Sequence, residues 1–119
     1  MKDAAFRFEG LTTYQRAVSF SATVYSITKR WPKEHLYSIA DQLRRAGLSM
    51  SLNIVEGYSR TRKDFQHFLT LSRGSCFECI PILQVAKTMN LLSEKEYSAL
   101  YNELREIAQM LSALRSALK

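Results

Sequence analysis

Ser93-Glu94-Lys95-Glu96-Tyr97-Ser98-Ala99-Leu100-Tyr101-Asn102-Glu103-Leu104-Arg105-Glu106-Ile107-Ala108-Gln109-Met110-Leu111 carries both halves of a helix signature. Ser93 and Glu96 have the spacing of a capping box, in which each side chain satisfies a backbone amide left free at the helix start. Behind them Tyr97, Leu100, Tyr101, Leu104, Ile107, Ala108, Leu111, Leu114 and Leu118 recur every three or four residues, an apolar stripe along one helix face. Such a stripe must be covered, so this segment requires other helices of similar length upstream.

Three upstream segments meet that requirement. The first helix is expected over Thr13 to Lys29, with Tyr14, Ala17, Val18, Ser21, Val24, Tyr25 and Thr28 on its stripe. Trp31-Pro32 ends it, because proline has no amide hydrogen and restricts the residue before it, so Arg30 to Glu34 reads as a turn. The second helix is expected over His35 to Glu56, with Leu36, Ile39, Leu43, Ala46, Met50 and Ile54 facing the core and Gly57 as its stop. The third runs from the cap Thr61, with Asp64 against the helix dipole, to about Met89. Its stripe is Phe65, Phe68, Leu69, Ser72, Cys76, Cys79, Ile80, Leu83 and Ala86, and Pro81 projects away from it, which predicts an outward kink.

With four glycines and two prolines in 119 residues, the chain has too few breakers for a β fold. Four amphipathic segments with short connections predict an all-α, antiparallel up-down-up-down four-helix bundle, one domain over residues 1–119. Leu43, Phe68, Tyr97, Leu104 and Leu111 are expected in its core.

A composition of 46% hydrophobic and 24% charged residues excludes a disordered polyelectrolyte. No stretch reaches the roughly 18 apolar residues of a membrane span. The N-terminus has no apolar signal region, so the expectation is a cytoplasmic protein with no membrane partner. Cys76 and Cys79, one helical turn apart with no further cysteine, read as buried core thiols rather than a redox pair or half of a zinc site. His35 and His67 are isolated, and Ser75 beside Gly74 reads as a close-packing pair with no base in reach. There is no glycine-rich phosphate loop. No catalytic residue, metal or cofactor is expected, and the chain is read as a binding protein rather than an enzyme.

The formal charge of +6 is unevenly distributed. Ten basic and four acidic residues lie between Tyr14 and Cys76, a difference equal to the whole net charge, while the rest carries seven of each. Such an excess suits an anionic partner. It gathers in two connections: Arg60, Arg62 and Lys63 at the turn into the third helix, and Lys29, Arg30 and Lys33 in the first turn, with Trp31 and Tyr37 nearby. These are the candidate phosphate contacts for RNA or DNA.

The second helix has apolar residues on two sides. Opposite its core stripe lie Tyr37, Leu48, Leu52 and Val55, which a four-helix monomer has no place to bury, so they are the expected interface of a homo-oligomer. Between the two faces Arg45, Ser49, Asn53 and Glu56 form a ladder, which suggests a polar network that Glu78 of the third helix could join.

The same helix carries a family resemblance. The run Gln42-Leu43-Arg44-Arg45-Ala46-Gly47-Leu48-Ser49-Met50-Ser51-Leu52-Asn53-Ile54-Val55-Glu56-Gly57-Tyr58-Ser59-Arg60 resembles the signature of bacterial four-helix bundle proteins encoded in 23S rRNA intervening sequences. Gly74-Ser75 with Glu78 resembles a second motif of that family, and Tyr14-Gln15-Arg16-Ala17 an opening one, so the likeness extends over roughly Phe8 to Leu118. It implies a ring-like homopentamer with a basic surface. It also brings an analogy of fold to the accessory variability proteins of diversity-generating retroelements, which bind nucleic acid and a reverse transcriptase. Together these readings point to an oligomeric, non-enzymatic adaptor for nucleic acid, weakly selective because no recognition helix or base-stacking platform is evident. The alternative is a structural or protein-interaction scaffold whose charge serves solubility.

Overall fold

The structure is a computed structural model that describes residues 6–118. After a short 3-10 turn at Arg7–Gly10, the chain forms α1 (Thr12–Thr28), α2 (Ile39–Tyr58), α3 (Arg62–Thr88) and α4 (Glu94–Ala117). Each helix packs on its neighbours in sequence and α1 closes on α4, while the backbones of the diagonal pairs stay more than 8 Å apart, Cα to Cα, among the described residues. With connections this short, that is the antiparallel up-down-up-down arrangement. The bundle measures 42 × 29 × 24 Å.

Local chemistry accounts for the boundaries. Thr61 Oγ1 accepts the Asp64 amide at 3.1 Å and starts α3. The Ser93 and Glu96 capping box is present in both directions at the start of α4, each bond being 3.0 Å. α3 ends on Asn90, whose φ of 62° is the left-handed conformation that lets the Leu91 amide reach the Ala86 carbonyl at 2.8 Å. Pro81 lies inside α3, which continues unbroken through it with the proline exposed.

The core is a single cluster drawn from all four helices. Phe20, Leu43, Met50, Ile54, Leu69, Leu83, Leu104, Ile107 and Leu111 are its largest fully buried apolar side chains. Two expected core members, Tyr97 and Phe68, are only half-buried at its margin. The buried face of α1 is rotated from the expected stripe: Thr13, Ala17, Phe20, Ser21, Val24 and Thr28 are buried, while Val18 and Tyr25 are exposed. Phe20 carries the difference, since α1 turns its largest apolar side chain inward. Arg16 then ties the thin α1–α4 contact, reaching Glu103 at 2.7 Å and Glu106 at 2.6 Å. These two carboxylates raise its guanidinium still further above the ordinary arginine range.

Two expectations about α2 are corrected. It starts at Ile39, not His35, because Trp31 is buried under the bundle and Lys33–His35 forms a 3-10 turn before the chain can rise. Gly57 does not stop the helix; it is buried within it and has no positive φ. A Cβ placed there would lie 2.6 Å from the Phe68 Cβ and 3.3 Å from the Phe65 backbone. Gly57 is therefore glycine because α3 passes directly against it and leaves no room for a side chain. The expected close packing at Gly74 is also corrected, since nothing lies within 4 Å of a Cβ built at that exposed position.

This packing sets the expected response to substitution. Leu104→Ala, which empties a site 1% exposed, should cost about 2 to 5 kcal/mol in chemical denaturation; a loss below about 0.5 kcal/mol would mean that the core relaxes around the gap or is misplaced. The two glycines should respond with opposite signs. Gly57→Ala should destabilise by about 1 to 3 kcal/mol through overpacking, whereas Gly74→Ala should stabilise by up to about 1 kcal/mol through helix propensity. Equal effects in the same measurement would remove the distinction drawn between them.

Candidate nucleic-acid and subunit interfaces

The connection from α2 to α3 is short, and α3 begins while the chain is still basic, so Arg60, Arg62 and Lys63 are brought together and all three are exposed. Arg60 donates to Glu56 through Nε at 2.9 Å and lies over the Phe68 ring at 5.2 Å. Arg62 donates to the Leu118 carbonyl at 3.2 Å, at the end of α4 where the helix dipole is negative. Lys63 forms no ion pair among the described residues. Glu56 and Asp64, the latter in the first turn of α3, offset two of the three charges, and the cluster stays net cationic.

The second cluster is weaker than its sequence suggests. Lys29, Arg30 and Lys33 are exposed, but Arg30 is paired with Glu96 at 2.8 Å. Glu96 is a strong partner: the Ser93 amide first and then Arg30 hold its carboxyl below the usual range. Trp31 is buried in the core and cannot meet a ligand. With about 1.5 Å per helical residue over the 20 residues of α2, roughly 30 Å of helix separates the two clusters.

Other cations of the basic segment serve the fold. Arg44 donates to the buried Thr28 hydroxyl at 2.8 Å and covers the Tyr25 ring at 4.6 Å, and Arg73 lies over Phe77 at 4.4 Å.

The outward face of α2 is apolar and uncovered in the single chain. Leu48 and Leu52 are 41% and 58% exposed and Val55 is half-buried beside them. Tyr37, 94% exposed, precedes α2 in the turn and so does not share this helical face. Sequence reasoning missed the contribution of α3, which exposes Leu71, Val85 and Met89. Their signal was present as apolar residues off the core stripe, but the strong Phe65-to-Ala86 stripe masked it.

The polar ladder closes only in part. Asn53 donates to the Ser49 carbonyl and hydroxyl at 2.9 and 3.0 Å, and Ser75 of α3 donates to the Ser49 hydroxyl at 2.9 Å. Arg45 instead approaches Asp41 at 3.8 Å, and Glu56 turns to Arg60. Glu78 lines the same α2–α3 groove as Arg45 and Ser49, together with Ile82 and Val85, but makes no hydrogen bond to the ladder among the described residues. The residue that crosses between the helices is therefore Ser75, not Glu78.

Cys76 and Cys79 are free and buried. Burial pushes their thiols up to about 11 and about 12 respectively, so neither forms a nucleophilic thiolate near neutrality. No group of three or more His, Cys, Asp or Glu residues placed to hold a metal ion occurs among the described residues. No helix among them is long and apolar enough to cross a membrane.

No curated protein matches this sequence. A solved structure from Bacteroides thetaiotaomicron VPI-5482, a protein of unknown function from the S23 ribosomal protein family, superposes with a TM-score of 0.81 at 20% identity. The likeness covers 87% of this chain and 95% of that one, and at this identity it speaks for the bundle alone. Residues 9–113 match the family described as 23S rRNA-intervening sequence protein, a span that includes both basic connections and nearly all of the four helices. The chain thus belongs to the 23S rRNA-intervening sequence protein family.

Proposed function

We propose that this protein is an oligomeric, non-enzymatic adaptor that binds nucleic acid through its phosphates. The observation that carries the reading is the exposed cluster of Arg60, Arg62 and Lys63, three bases against the two acids Glu56 and Asp64, on a turn that opens a helix. Free amides at that helix start and three exposed cations suit a phosphate backbone. Lys29, Arg30 and Lys33 form a second, weaker contact, because Arg30 is shared with Glu96. The family description, which names a 23S rRNA intervening sequence, agrees with an RNA setting. RNA and DNA both present the phosphates on which this binding rests.

Self-association is the second element of the proposal. Leu48, Leu52 and Val55 on α2 form an apolar face with no cover in the monomer, and α3 leaves Leu71 and Val85 exposed as well. Joining copies through that face would repeat each basic cluster around the assembly, so that modest single attractions add up. The ring-like pentamer implied by the family resemblance is one such arrangement. A scaffold that binds only other proteins is the competing reading, and the same uncovered face favours it.

Two experiments test the proposal. Leu52→Glu should leave the helical circular dichroism intact and dissociate the assembly; a wild-type chain that sediments as a monomer at micromolar concentration would refute self-association through this face. Replacing Arg60, Arg62 and Lys63 by glutamine should weaken binding equally for unrelated sequences. The slope of log affinity against log salt should flatten by roughly 0.9 for each phosphate no longer neutralised on duplex DNA, or 0.7 on a single strand. Unchanged affinity and slope in the triple variant would remove these residues from the interface, and no binding at low salt would leave the scaffold reading in its place.

A further inference from the structure

Beside the Arg60–Lys63 turn the structure contains a row of aromatic rings that no part of the fold requires at its outer end. Phe65, buried in α3, meets Tyr58 edge-on at 5.5 Å, and Tyr58 meets Phe8 edge-on at 6.2 Å. Phe8 also meets Tyr14 edge-on at 5.1 Å, which fixes its ring from a second side. On Phe8 lies Phe6, stacked at 5.7 Å with the ring planes 21° apart, and Phe6 is 64% exposed. Its backbone is held as well: the Phe6 amide donates to Glu9 Oε1 at 2.8 Å and its carbonyl accepts the Glu9 amide at 3.0 Å. Gln15 of α1 in turn donates to the Glu9 carbonyl at 2.8 Å.

An exposed phenylalanine forgoes hydrophobic stabilisation, and this one is held on its ring by Phe8 and on its backbone by Glu9. The row begins at Tyr58 and Phe65, the two residues that bracket Arg60, Arg62 and Lys63, and Arg7 is exposed on the same N-terminal turn. A preformed aromatic face next to a cationic turn is the pairing used to hold a strand with unpaired bases, phosphates on the cations and a base on the ring. A duplex keeps its bases stacked within itself and offers the ring nothing. Glu9, bonded to the Phe6 amide, and Arg7, the next residue in the chain, are the charged neighbours of Phe6, and the ring face itself carries no group that selects a base edge, so the contact should accept any base.

We infer that Phe6, stacked on Phe8, is a platform for one unpaired base of a single-stranded nucleic acid whose phosphates run along Arg60, Arg62 and Lys63. This rests on the phosphate-binding reading above and narrows it from nucleic acid in general to single strands. It departs from the expectation that no stacking platform is present, because the ring pair is assembled by a short turn ahead of α1.

The test compares a labelled 12-residue oligothymidine with the abasic strand of the same phosphate count, by fluorescence anisotropy at low salt. Wild type should prefer the base-bearing strand by about fivefold or more. Phe6→Ala should reduce that preference to within twofold while leaving abasic-strand affinity unchanged. Phe6→Trp should keep it, with the new indole quenched on binding; Trp31 is buried at the far end of α1 and should not respond. Equal binding of the two strands by wild type, or an unchanged preference in Phe6→Ala, overturns the platform while the phosphate reading stands. Absence of binding by either strand or by duplex overturns both. If Phe6→Ala retains its circular dichroism but loses its assembly, Phe6 is a contact between copies of the chain and the platform is refuted.

Discussion

The fold depends on α2 and α3 being able to touch. At the tight end of their hairpin Gly57 removes the side chain that would collide with Phe65 and Phe68. Higher up, Ser72 donates to the Met50 carbonyl at 2.8 Å and Ser75 bridges to Ser49, so two small hydroxyls replace bulk where the helices run side by side. Because the α2–α3 contact is the most extensive in the bundle, α1 and α4 are laid against an already defined pair. The contact also determines what is left over: the cationic turn is thrown to one end and the outer faces of both helices are left without partners.

Charge is divided between fold and surface in a way that a count of residues cannot reveal. Arg16 and Arg44 point inward to close seams, against two carboxylates and a buried hydroxyl respectively. Lys63 projects outward, whereas Arg60 and Arg62 do both, Arg60 by touching Glu56 and covering Phe68 and Arg62 by donating to the Leu118 carbonyl. A guanidinium paired in a seam is held by hydrogen bonds that a ligand would have to break, whereas a solvated lysine is available at almost no cost. The net positive charge of the first three helices therefore overstates the number of cations free to meet a partner.

Much of this was legible in the sequence because helix periodicity and caps are local signals. Ser93 with Glu96, Thr61 with Asp64, and the stripes of α3 and α4 all lie within a few residues of the features they determine. What was not legible depended on distant chain segments. Gly57 looks like a terminator until Phe65 and Phe68 are placed against it, and Tyr37 looks like part of a helical face until burial of Trp31 delays the start of α2. The rotation of α1 had the same origin, since Val18 and Phe20 compete for the inside and only the shape of the opposing helices decides. At the candidate site the two cationic clusters could be read directly from their spacing, but the pairing of Arg30 with Glu96 spans 66 residues and could not. The aromatic row joins residues from three separate segments and was invisible for the same reason.

The two thiols of α3 have a use that concerns neither ligand nor partner. Cys76 and Cys79 are sealed from solvent at 1% and 0% exposure, with the Cys76 thiol donating to the Leu104 carbonyl at 3.1 Å. An alkylating reagent can reach Cys76 only when α3 separates from α4, so its labelling rate reports the opening of that seam. Cys79, one turn further along the same helix, is a second buried probe of opening around α3. The bundle thus contains an intrinsic clock for its own fluctuations, readable by mass spectrometry without altering a residue.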